Sequence, residues 1–227
     1  MTDKISIITR AFNRLEYTMR TIHSVRKNTN HENYEHIIVN NNSTDGTKEW
    51  LDWIKKEDNH PYFNKVKVLH LEKNVGDWMG MRRGLAAASP DSKYVVQLDN
   101  DMEVDSGWLN AMKHVIDETD INLVMCKRTG VGAVLRPKTP KTIKNGDQEI
   151  KYGYITKCVA CFMAKMDKFK EISKHIKGKG NKTVLGQKMR PCGKIFNIFC
   201  HHNDGYYNNE ENKDSLIYNR FKTWESL

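Results

Sequence analysis

The sequence predicts an α/β fold, in which helices cover both faces of a mainly parallel central sheet. Three observations predict it. Short apolar runs rich in Val and Ile recur about every thirty residues in the first half of the chain. Segments with apolar residues at helical spacing lie between these runs, and polar clusters follow them. Strands and helices that alternate in this way are typical of βαβ units and of a sheet covered on both faces.

The first half of the chain supplies the regular elements of this fold. Its four predicted strands are residues 5–9, 36–40, 66–70 and 94–98. Helices are predicted by apolar residues three or four positions apart, in stripes that begin at Leu15, Trp50, Trp78 and Trp108. The third helix should end before Pro90, because proline disfavours the helical conformation of the residue before it. Asp105 or Ser106 is placed to cap the fourth helix.

The second half is less regular. Residues 121–126 and 195–202 each predict a strand, and the apolar residues 152–165 predict a buried one. Residues 128–149 are rich in Gly, Pro, Lys and Thr, which predicts a long mobile loop, and residues 177–194 predict a second polar, flexible segment. No shift in composition marks a linker, so we expect the 227 residues to form one domain.

Composition limits the kinds of partner and compartment. A net charge of +9 favours anionic ligands. The spread of basic residues along the chain and the lack of a known module disfavour nucleic acid. No apolar run approaches the roughly 20 residues that span a bilayer, and the N-terminus lacks the apolar region of a signal peptide. Five cysteines without a signal indicate reduced thiols. We therefore expect a cytoplasmic protein that could contact a membrane surface peripherally.

Polar clusters follow all four predicted strands of the first half. They are Thr9–Arg10, residues 40–42, Lys73–Asn74 and residues 99–101. In sheets of this class, ligands bind beyond the carboxyl ends of the strands. Because the fold should gather the four clusters on one rim, the sequence predicts a ligand site there.

Asp99 and Asp101 flank a single residue, Asn100, at the end of an apolar strand. This spacing can bring two carboxylates towards a hard divalent cation such as Mg²⁺ or Mn²⁺. An ordinary solvated turn is the alternative, because Asp and Asn are common turn residues. The spacing alone leaves both interpretations open.

Four motifs appear in a fixed order along these strands. They are AFNR at 11–14, IIVNNNSTDGT at 37–47, NVGDWMGMRRGL at 74–85 and QLDNDMEV at 97–104. Together they resemble the nucleotide-sugar-binding half of family-2 glycosyltransferases, over about residues 4–116. The resemblance implies the GT-A fold, which is Rossmann-like. The nucleotide-sugar half would be about residues 1–103 and the acceptor half about residues 104–227.

The resemblance also implies a reaction. It is the metal-dependent transfer of a sugar from a nucleotide-diphosphate sugar to a hydroxyl of a glycan, glycolipid or glycoprotein. The chain would then be a hexosyl- or deoxyhexosyltransferase that inverts the transferred sugar. The implied cofactor is Mn²⁺ or Mg²⁺, which can neutralise charge on the leaving diphosphate. UDP is the nucleotide expected first, with GDP and dTDP as alternatives.

The matching motifs imply which residues bind the donor and its metal. Those expected to contact the nucleotide sugar are Thr9, Ala11, Asn13, Arg14, Asn40, Asn41, Asp45, Asn74, Gly76, Asp77, Arg82, Asp99 and Asn100. The expected metal ligands are Asp99, Asp101 and a histidine after the last strand. His201 is preferred over His202, because only one of two consecutive strand residues can face the site.

The motifs depart from the family pattern at two places. Members usually have Pro-Thr where this chain has Arg10-Ala11, and an acidic pair where this chain has Asn40-Asn41. A side-chain amide both donates and accepts hydrogen bonds, whereas a carboxylate only accepts. The base preference can therefore differ from the uridine preference that is usual in the family.

The general base is the least defined residue. Residues 177–193, where inverting members carry an acid, contain none. Asp147 and Glu149 are tentative candidates, followed by Asp167 and Glu171, although each resembles an ordinary solvated charge. An unusual base, a retaining mechanism and a non-catalytic nucleotide-sugar-binding module all remain open. So does a sugar nucleotidyltransferase, although residues 9–17 lack the glycine of its phosphate loop.

Four of the cysteines could form a zinc site. Cys158 and Cys161 have the spacing of a zinc knuckle, and Cys192 and Cys200 could complete four thiolates. The spacing of the second pair fits poorly, and the residues around the first pair are apolar. The sequence therefore predicts free cysteines in the core.

Overall fold

In a computed structural model, the described residues are 2–56, 65–129, 139–156, 161–176 and 181–202. The strands and helices in chain order are β1 (Lys4–Ala11), α1 (Leu15–Asn28), β2 (Tyr34–Asn40), α2 (Thr47–Lys56), β3 (Val66–His70), α3 (Asp77–Ala87), β4 (Ser92–Asp99), β5 (Met102–Val104), α4 (Trp108–Glu118), β6 (Leu123–Arg128), β7 (Lys141–Asn145), β8 (Gln148–Ile155), β9 (Cys161–Lys165), α5 (Met166–Ser173), α6 (Asn181–Lys188) and β10 (Cys192–His202). The predicted α/β fold with helices on both faces of the sheet is confirmed.

The first half of the chain forms the parallel part of the sheet. Its strands lie side by side in the order β3-β2-β1-β4, and all three contacts between them are parallel. Every residue of β2 is buried, as expected for a parallel strand that helices cover on both faces. The carboxyl ends of these strands therefore lie on one rim, as the sequence predicts.

Helices cover the two faces of the sheet in two groups. Helices α1, α2 and α4 pack on one face, where α2 contributes Trp50 and Leu51 and α4 contributes Trp108. Helices α3, α5 and α6 pack on the other. Helix α3 approaches β1 closely, since a Cβ atom added to Gly84 would lie 2.4 Å from Ile8 Cγ2. This close approach brings the start of α3 to the rim.

The second half adds a mixed part to the same sheet, in the order β9-β6-β10-β8-β7 after β4. Strand β9 runs antiparallel to both β4 and β6, and β10 runs parallel to β6. Strands β4, β6 and β10 therefore share one direction, and the carboxyl end of β10 lies on the same rim as Asp99. The short strand β5 pairs antiparallel with β10, where Met102 lies opposite His202.

Several predictions for the second half are wrong. The later part of the predicted loop 128–149 contains β7 and the start of β8, joined by a turn at Gly146, whose φ is +58°. Lysines beside Thr142 and Ile143 make β7 look like a loop, but exposed lysines are common on edge strands. Residues 152–165 contain the end of β8 and all of β9 rather than one strand, and residues 177–194 include α6.

Two further differences concern helices. Helix α5 was not predicted, and the predicted side-chain cap of α4 is wrong. Gly107, with φ +73°, occupies the N-cap position of α4 without a side-chain hydrogen bond. The Asp105 carboxylate instead accepts a hydrogen bond from the Phe199 backbone N–H of β10, at 3.1 Å. Within the described ranges, no helix is long and apolar enough to cross a membrane.

Candidate functional site

Asp99 lies at the carboxyl end of β4 and is held by Arg10 of β1. The two residues are register partners in adjacent strands, and Arg10 Nη2 lies 2.6 Å from Asp99 Oδ1. Arg10 Nε lies 2.6 Å from Asp77 Oδ1 at the start of α3. A guanidinium with little exposure thus joins two carboxylates that the sequence assigned to the donor site.

Asp101 has different neighbours, because the chain turns after Asp99. Arg14 Nη1 lies 3.2 Å from Asp101 Oδ2, and His202 Nε2 lies 3.4 Å from the same oxygen. The side chain of His202 is 8% exposed and that of Asp101 is 14% exposed. Residues 101 and 202 are thus brought together at the rim by the pairing of β5 with β10.

His202 rather than His201 lies beside Asp101, so the preference for His201 is corrected. His201 Nε2 lies 2.9 Å from Asp105 Oδ1 and its side chain is 47% exposed. Its Nδ1 atom lies 3.2 Å from the Thr129 hydroxyl. The alternation of side chains along β10 decides the matter, because consecutive residues point to opposite faces.

That Asp99 and Asp101 share one cation stays a prediction. Each carboxylate is paired with a different arginine, and the described part of the chain holds no group of three His, Cys, Asp or Glu side chains that could bind a metal ion. The donor set at Asp101 and His202 is one carboxylate and one imidazole. This set fits an ion such as Mn²⁺ that takes its remaining ligands from waters and substrate phosphates.

The amide of Asn40 is used inside the protein. Its Oδ1 accepts a hydrogen bond from the Ser43 N–H at 3.0 Å, and its Nδ2 lies 3.0 Å from His70 Nδ1. His70 Nε2 lies in turn 2.9 Å from Asp52 Oδ1. Because Asn40 Nδ2 is a donor, His70 Nδ1 must be the acceptor, and Nε2–H then donates to Asp52. Asn40 therefore shapes the loop after β2 and points into the protein.

Asn41 joins the same loop to the start of α3. Its Nδ2 donates to Asn74 Oδ1 at 2.8 Å, and its Oδ1 accepts from the Val75 N–H at 2.9 Å. Asn74 Oδ1 also accepts from the Gly76 N–H at 2.8 Å. Gly76 has φ +81°, a conformation that glycine adopts without steric cost. The predicted residues Asn41, Asn74 and Gly76 thus build one continuous turn.

The turn after β1 is fixed against the same loop. Asn13 and Arg14 both have positive φ angles, +54° and +60°. Asn13 Oδ1 accepts from the Thr44 N–H at 2.8 Å, and Asp45 Oδ2 accepts from the Leu15 N–H that opens α1, at 2.9 Å. Burial raises the pKa of Asp45, but hydrogen bonds from Thr47 and Leu15 outweigh it and lower that pKa overall.

Four of the predicted donor residues remain to be described. Thr9 and Ala11 are fully buried below the rim, where the Thr9 hydroxyl lies 2.8 Å from His36 Nε2. Asn100 Nδ2 donates to the Thr18 hydroxyl of α1 at 3.0 Å. Arg82 is exposed on α3. Thr9 and Ala11 therefore support the rim from below, whereas Arg82 is open to a ligand.

The candidate bases lie at two other places. Asp147 is exposed in the turn between β7 and β8, and Glu149 is exposed with its Oε1 3.2 Å from Lys151 Nζ. Asp167 and Glu171 are exposed on α5, which follows the end of β9. Because β9 runs against β4, its carboxyl end lies opposite the rim, and α5 therefore begins away from the site.

The described cysteines are free and buried, as predicted. Cys161, Cys126 and Cys200 lie on the neighbouring strands β9, β6 and β10. Cys192 lies at the start of β10, where its thiol is 3.2 Å from the Gly186 carbonyl oxygen, so it does not join Cys161 and Cys200 in one site. Cys158 lies outside the described residues.

Some residues of the rim were missed in the sequence. Arg10 was noted as a departure from the family pattern, but its ion pairs with Asp77 and Asp99 depend on the register of β1 and β4. His70 and Asp52 carried no motif, although His70 ends a predicted strand. His70 could have been included among the predicted rim residues, because polar residues follow or end all four strands of the first half.

A family model described as Glycosyl transferase family 2 matches residues 6–173. The putative teichuronic acid biosynthesis glycosyltransferase TuaG of Bacillus subtilis is 35% identical over 97 residues, which are 43% of this chain and 35% of that protein. Glycosyltransferase GlyG of Streptococcus pneumoniae is 26% identical over 125 residues, which are 55% of this chain and 39% of that protein. The chain thus spans less than half the length of either relative.

Solved structures of two glycosyltransferases resemble the fold. S. aureus TarS 1–349 in complex with UDP-GlcNAc has a TM-score of 0.68 at 16% identity, over 97% of this chain and 64% of that chain. GalNAc-T7 with UDP, GalNAc and Mn²⁺ has a TM-score of 0.67 at 16% identity, over 88% of this chain and 43% of that chain. At such identities the likeness shows the fold alone.

Proposed function

The chain belongs to glycosyltransferase family 2, and from that premise we propose that it is a metal-dependent glycosyltransferase. It would move a hexosyl or deoxyhexosyl group from a nucleotide-diphosphate sugar to a hydroxyl of a glycan, glycolipid or glycoprotein, with inversion. The observation that carries the proposal is the 3.4 Å approach of His202 to Asp101. These residues lie about a hundred positions apart in the chain and meet at the rim where sheets of this class bind ligands.

Asp101 and His202 would hold Mn²⁺ or Mg²⁺. When bound, such an ion neutralises the charge that develops on the leaving diphosphate. Arg14 is half-exposed and already adjacent to Asp101, so its guanidinium could move to a phosphate oxygen when donor binds. The basic net charge of the chain also suits an anionic donor.

The nucleoside would lie against the joined loops that contain Asn13, Asn41, Asp45 and Gly76. UDP is the nucleotide that we propose first, because TarS and GalNAc-T7 were both solved with it, with GDP and dTDP as alternatives. The side-chain amides of Asn40 and Asn41 bond within the protein. Base contacts would therefore come from the backbone and from the exposed residues of these loops.

The general base is a separate question. Asp147 and Glu149 stay the first candidates, and a positioned base contributes roughly 10²–10⁴-fold to the rate. Transfer by Asp147→Asn and Glu149→Gln, measured with the donor and acceptor that the wild type uses, tests both. A loss below about tenfold in each variant would remove them from the mechanism.

The test of the proposed function is donor hydrolysis and transfer with a panel of nucleotide sugars, with and without Mn²⁺. Asp101→Ala should abolish both activities, and His202→Asn should lower them at least about tenfold. His201→Asn is the matched control, because His201 lies one residue from His202 but pairs with Asp105, and this variant should retain activity. Binding of a nucleotide sugar without turnover of any donor would favour a binding module. Release of pyrophosphate from a nucleoside triphosphate would favour a nucleotidyltransferase.

A further inference from the structure

The two aspartates at the end of β4 are each paired with an arginine, and the two pairs differ in burial. Arg10 and Asp99 approach to 2.6 Å, with 6% and 22% of their side chains exposed. Arg14 and Asp101 approach to 3.2 Å, and 54% of the Arg14 side chain is exposed. An exposed ion pair contributes little and exchanges readily, whereas a buried pair that loses one member leaves a costly charge. A cation can therefore displace Arg14 from Asp101 more easily than Arg10 from Asp99.

The position of Arg10 is fixed by its own strand β1, by the adjacent strand β4 and by helix α3. Its backbone is paired with Asp99 across β1 and β4, and its side chain lies on the face of the sheet that α3 covers. There its Nε atom is 2.6 Å from Asp77 Oδ1, and its Nη1 atom is 3.6 Å from Met81 Sδ. The stem passes over Gly80, where an added Cβ would lie 3.5 Å from Arg10 Cδ. Moving Arg10 away from Asp99 therefore requires α3 to repack.

We propose that Arg10 keeps Asp99 out of the coordination shell of the divalent ion and holds it as a hydrogen-bond acceptor for a donor hydroxyl. This inference rests on the proposed function. The adjacent guanidinium cancels most of the attraction that Asp99 would exert on a second cation. A carboxylate with one oxygen bound to Arg10 still has lone pairs to accept an O–H. Arg10 is thus a positioning residue, and it leaves Asp101 as the metal-binding carboxylate of the segment.

The position of Arg10 also explains why Asp77 is part of the site. Asp77 lies in the first turn of α3, where the helix dipole favours a negative charge, and 62% of its side chain is exposed. Through Arg10 it is held on the same face of the sheet as Asp99. Both carboxylates are thus directed by one buried cation, which suits recognition of neighbouring hydroxyl groups on a sugar ring.

Binding of Mn²⁺ to the full chain without nucleotide, followed by electron paramagnetic resonance, tests the proposal. Asp99→Asn should leave the Mn²⁺ dissociation constant within about twofold, whereas Asp101→Asn should weaken binding at least about tenfold. Arg10→Met should tighten binding by about tenfold, because a second carboxylate can then join the ion. Adding Asp99→Asn to Arg10→Met should remove that gain. The Asp99→Asn result does not depend on whether Arg10→Met folds.

Donor binding supplies a second measurement. Arg10→Met should raise the KM for the nucleotide sugar about tenfold with a smaller effect on kcat, and Arg10→Lys should restore part of the loss. Equal weakening of Mn²⁺ binding by Asp99→Asn and Asp101→Asn would overturn the role of Arg10. If the wild type binds no Mn²⁺ and Asp101→Ala leaves donor hydrolysis unchanged, the proposed function itself fails. The two failures are thus distinguishable.

Discussion

The two halves of the sheet contribute to the rim in different ways. In the first half, the turns that follow the strands are hydrogen-bonded to one another, as the Thr44 N–H is to Asn13 Oδ1 and Asn41 Nδ2 is to Asn74 Oδ1. In the second half, β10 brings His202 to within 3.4 Å of Asp101 at the rim, and the edge strand β7 has no buried residue. The first half therefore fixes the shape of the rim, whereas the second half adds His202 to it and carries an exposed edge strand. Under the proposed function, the fixed loops of the first half would hold the donor, and the second half would face the acceptor.

Close packing in the first half predicts the largest effect on stability. A Cβ atom at Gly84 would lie 2.4 Å from Ile8 Cγ2 and 3.2 Å from Val39 Cγ2. These two side chains belong to the adjacent parallel strands β1 and β2. Gly84→Ala should therefore lower the free energy of unfolding by about 3 kcal/mol, measured by urea denaturation. The matched change in the second half is Gly193→Ala, whose 2.4 Å neighbour is the terminal methyl of Ile121. That methyl can rotate away, so the cost should be about 1 kcal/mol. Equal costs would remove the contrast in packing.

The buried histidine of β2 predicts a pH dependence. Burial lowers the pKa of His36 from 6.5 to about 3, so the folded protein resists a proton that the unfolded chain accepts. This contribution is complete above pH 6.5 and is lost as the pH falls towards 3. Between pH 6.5 and pH 5 the free energy of unfolding should drop by about 2 kcal/mol. His36→Gln should flatten this part of the curve. His114→Gln should not, because His114 on α4 is only half-buried.

The hydrogen bonds of Asn41 predict a smaller loss of stability. In Asn41→Asp the second carboxylate oxygen would face Asn74 Oδ1 and the Gly76 carbonyl, which are both acceptors. The free energy of unfolding should fall by about 1 to 2 kcal/mol, and the KM for the donor should rise. Asn42→Asp is the control, because Asn42 is exposed in the same loop and should change stability by less than about 0.5 kcal/mol. Full stability of Asn41→Asp would mean that the loop tolerates the acidic pair usual in the family.

The edge of the second half predicts the smallest effect. Glu149 and Lys151 form an ion pair at 3.2 Å with about half of each side chain exposed. Glu149→Gln should change the free energy of unfolding by less than about 0.5 kcal/mol, because solvent screens such pairs. A cost above about 1 kcal/mol in denaturation would show that this edge is held as firmly as the first half.

The sequence was a good guide where a residue's role depends on local neighbours. The four strands of the first half, the end of α3 before Pro90 and the buried thiols all follow from apolar periodicity and local composition. The same reasoning failed at β7, since lysines on an edge strand resemble those of a loop. It also failed for the choice between His201 and His202, because only the pairing of β5 with β10 determines which histidine faces Asp101.

The sequence by itself determined the α/β fold class, the strand-end clusters and the family to which the chain belongs. Those features depend on periodicity and on residues that are close in the chain. Only the tertiary structure decided which arginine Asp99 and Asp101 each pair with. The strand ends at Asp99 and the chain then turns, so residues two positions apart meet different arginines on different elements. The physical reason is that side-chain direction at a strand end depends on the next pairing partner, which lies about a hundred residues away in β10.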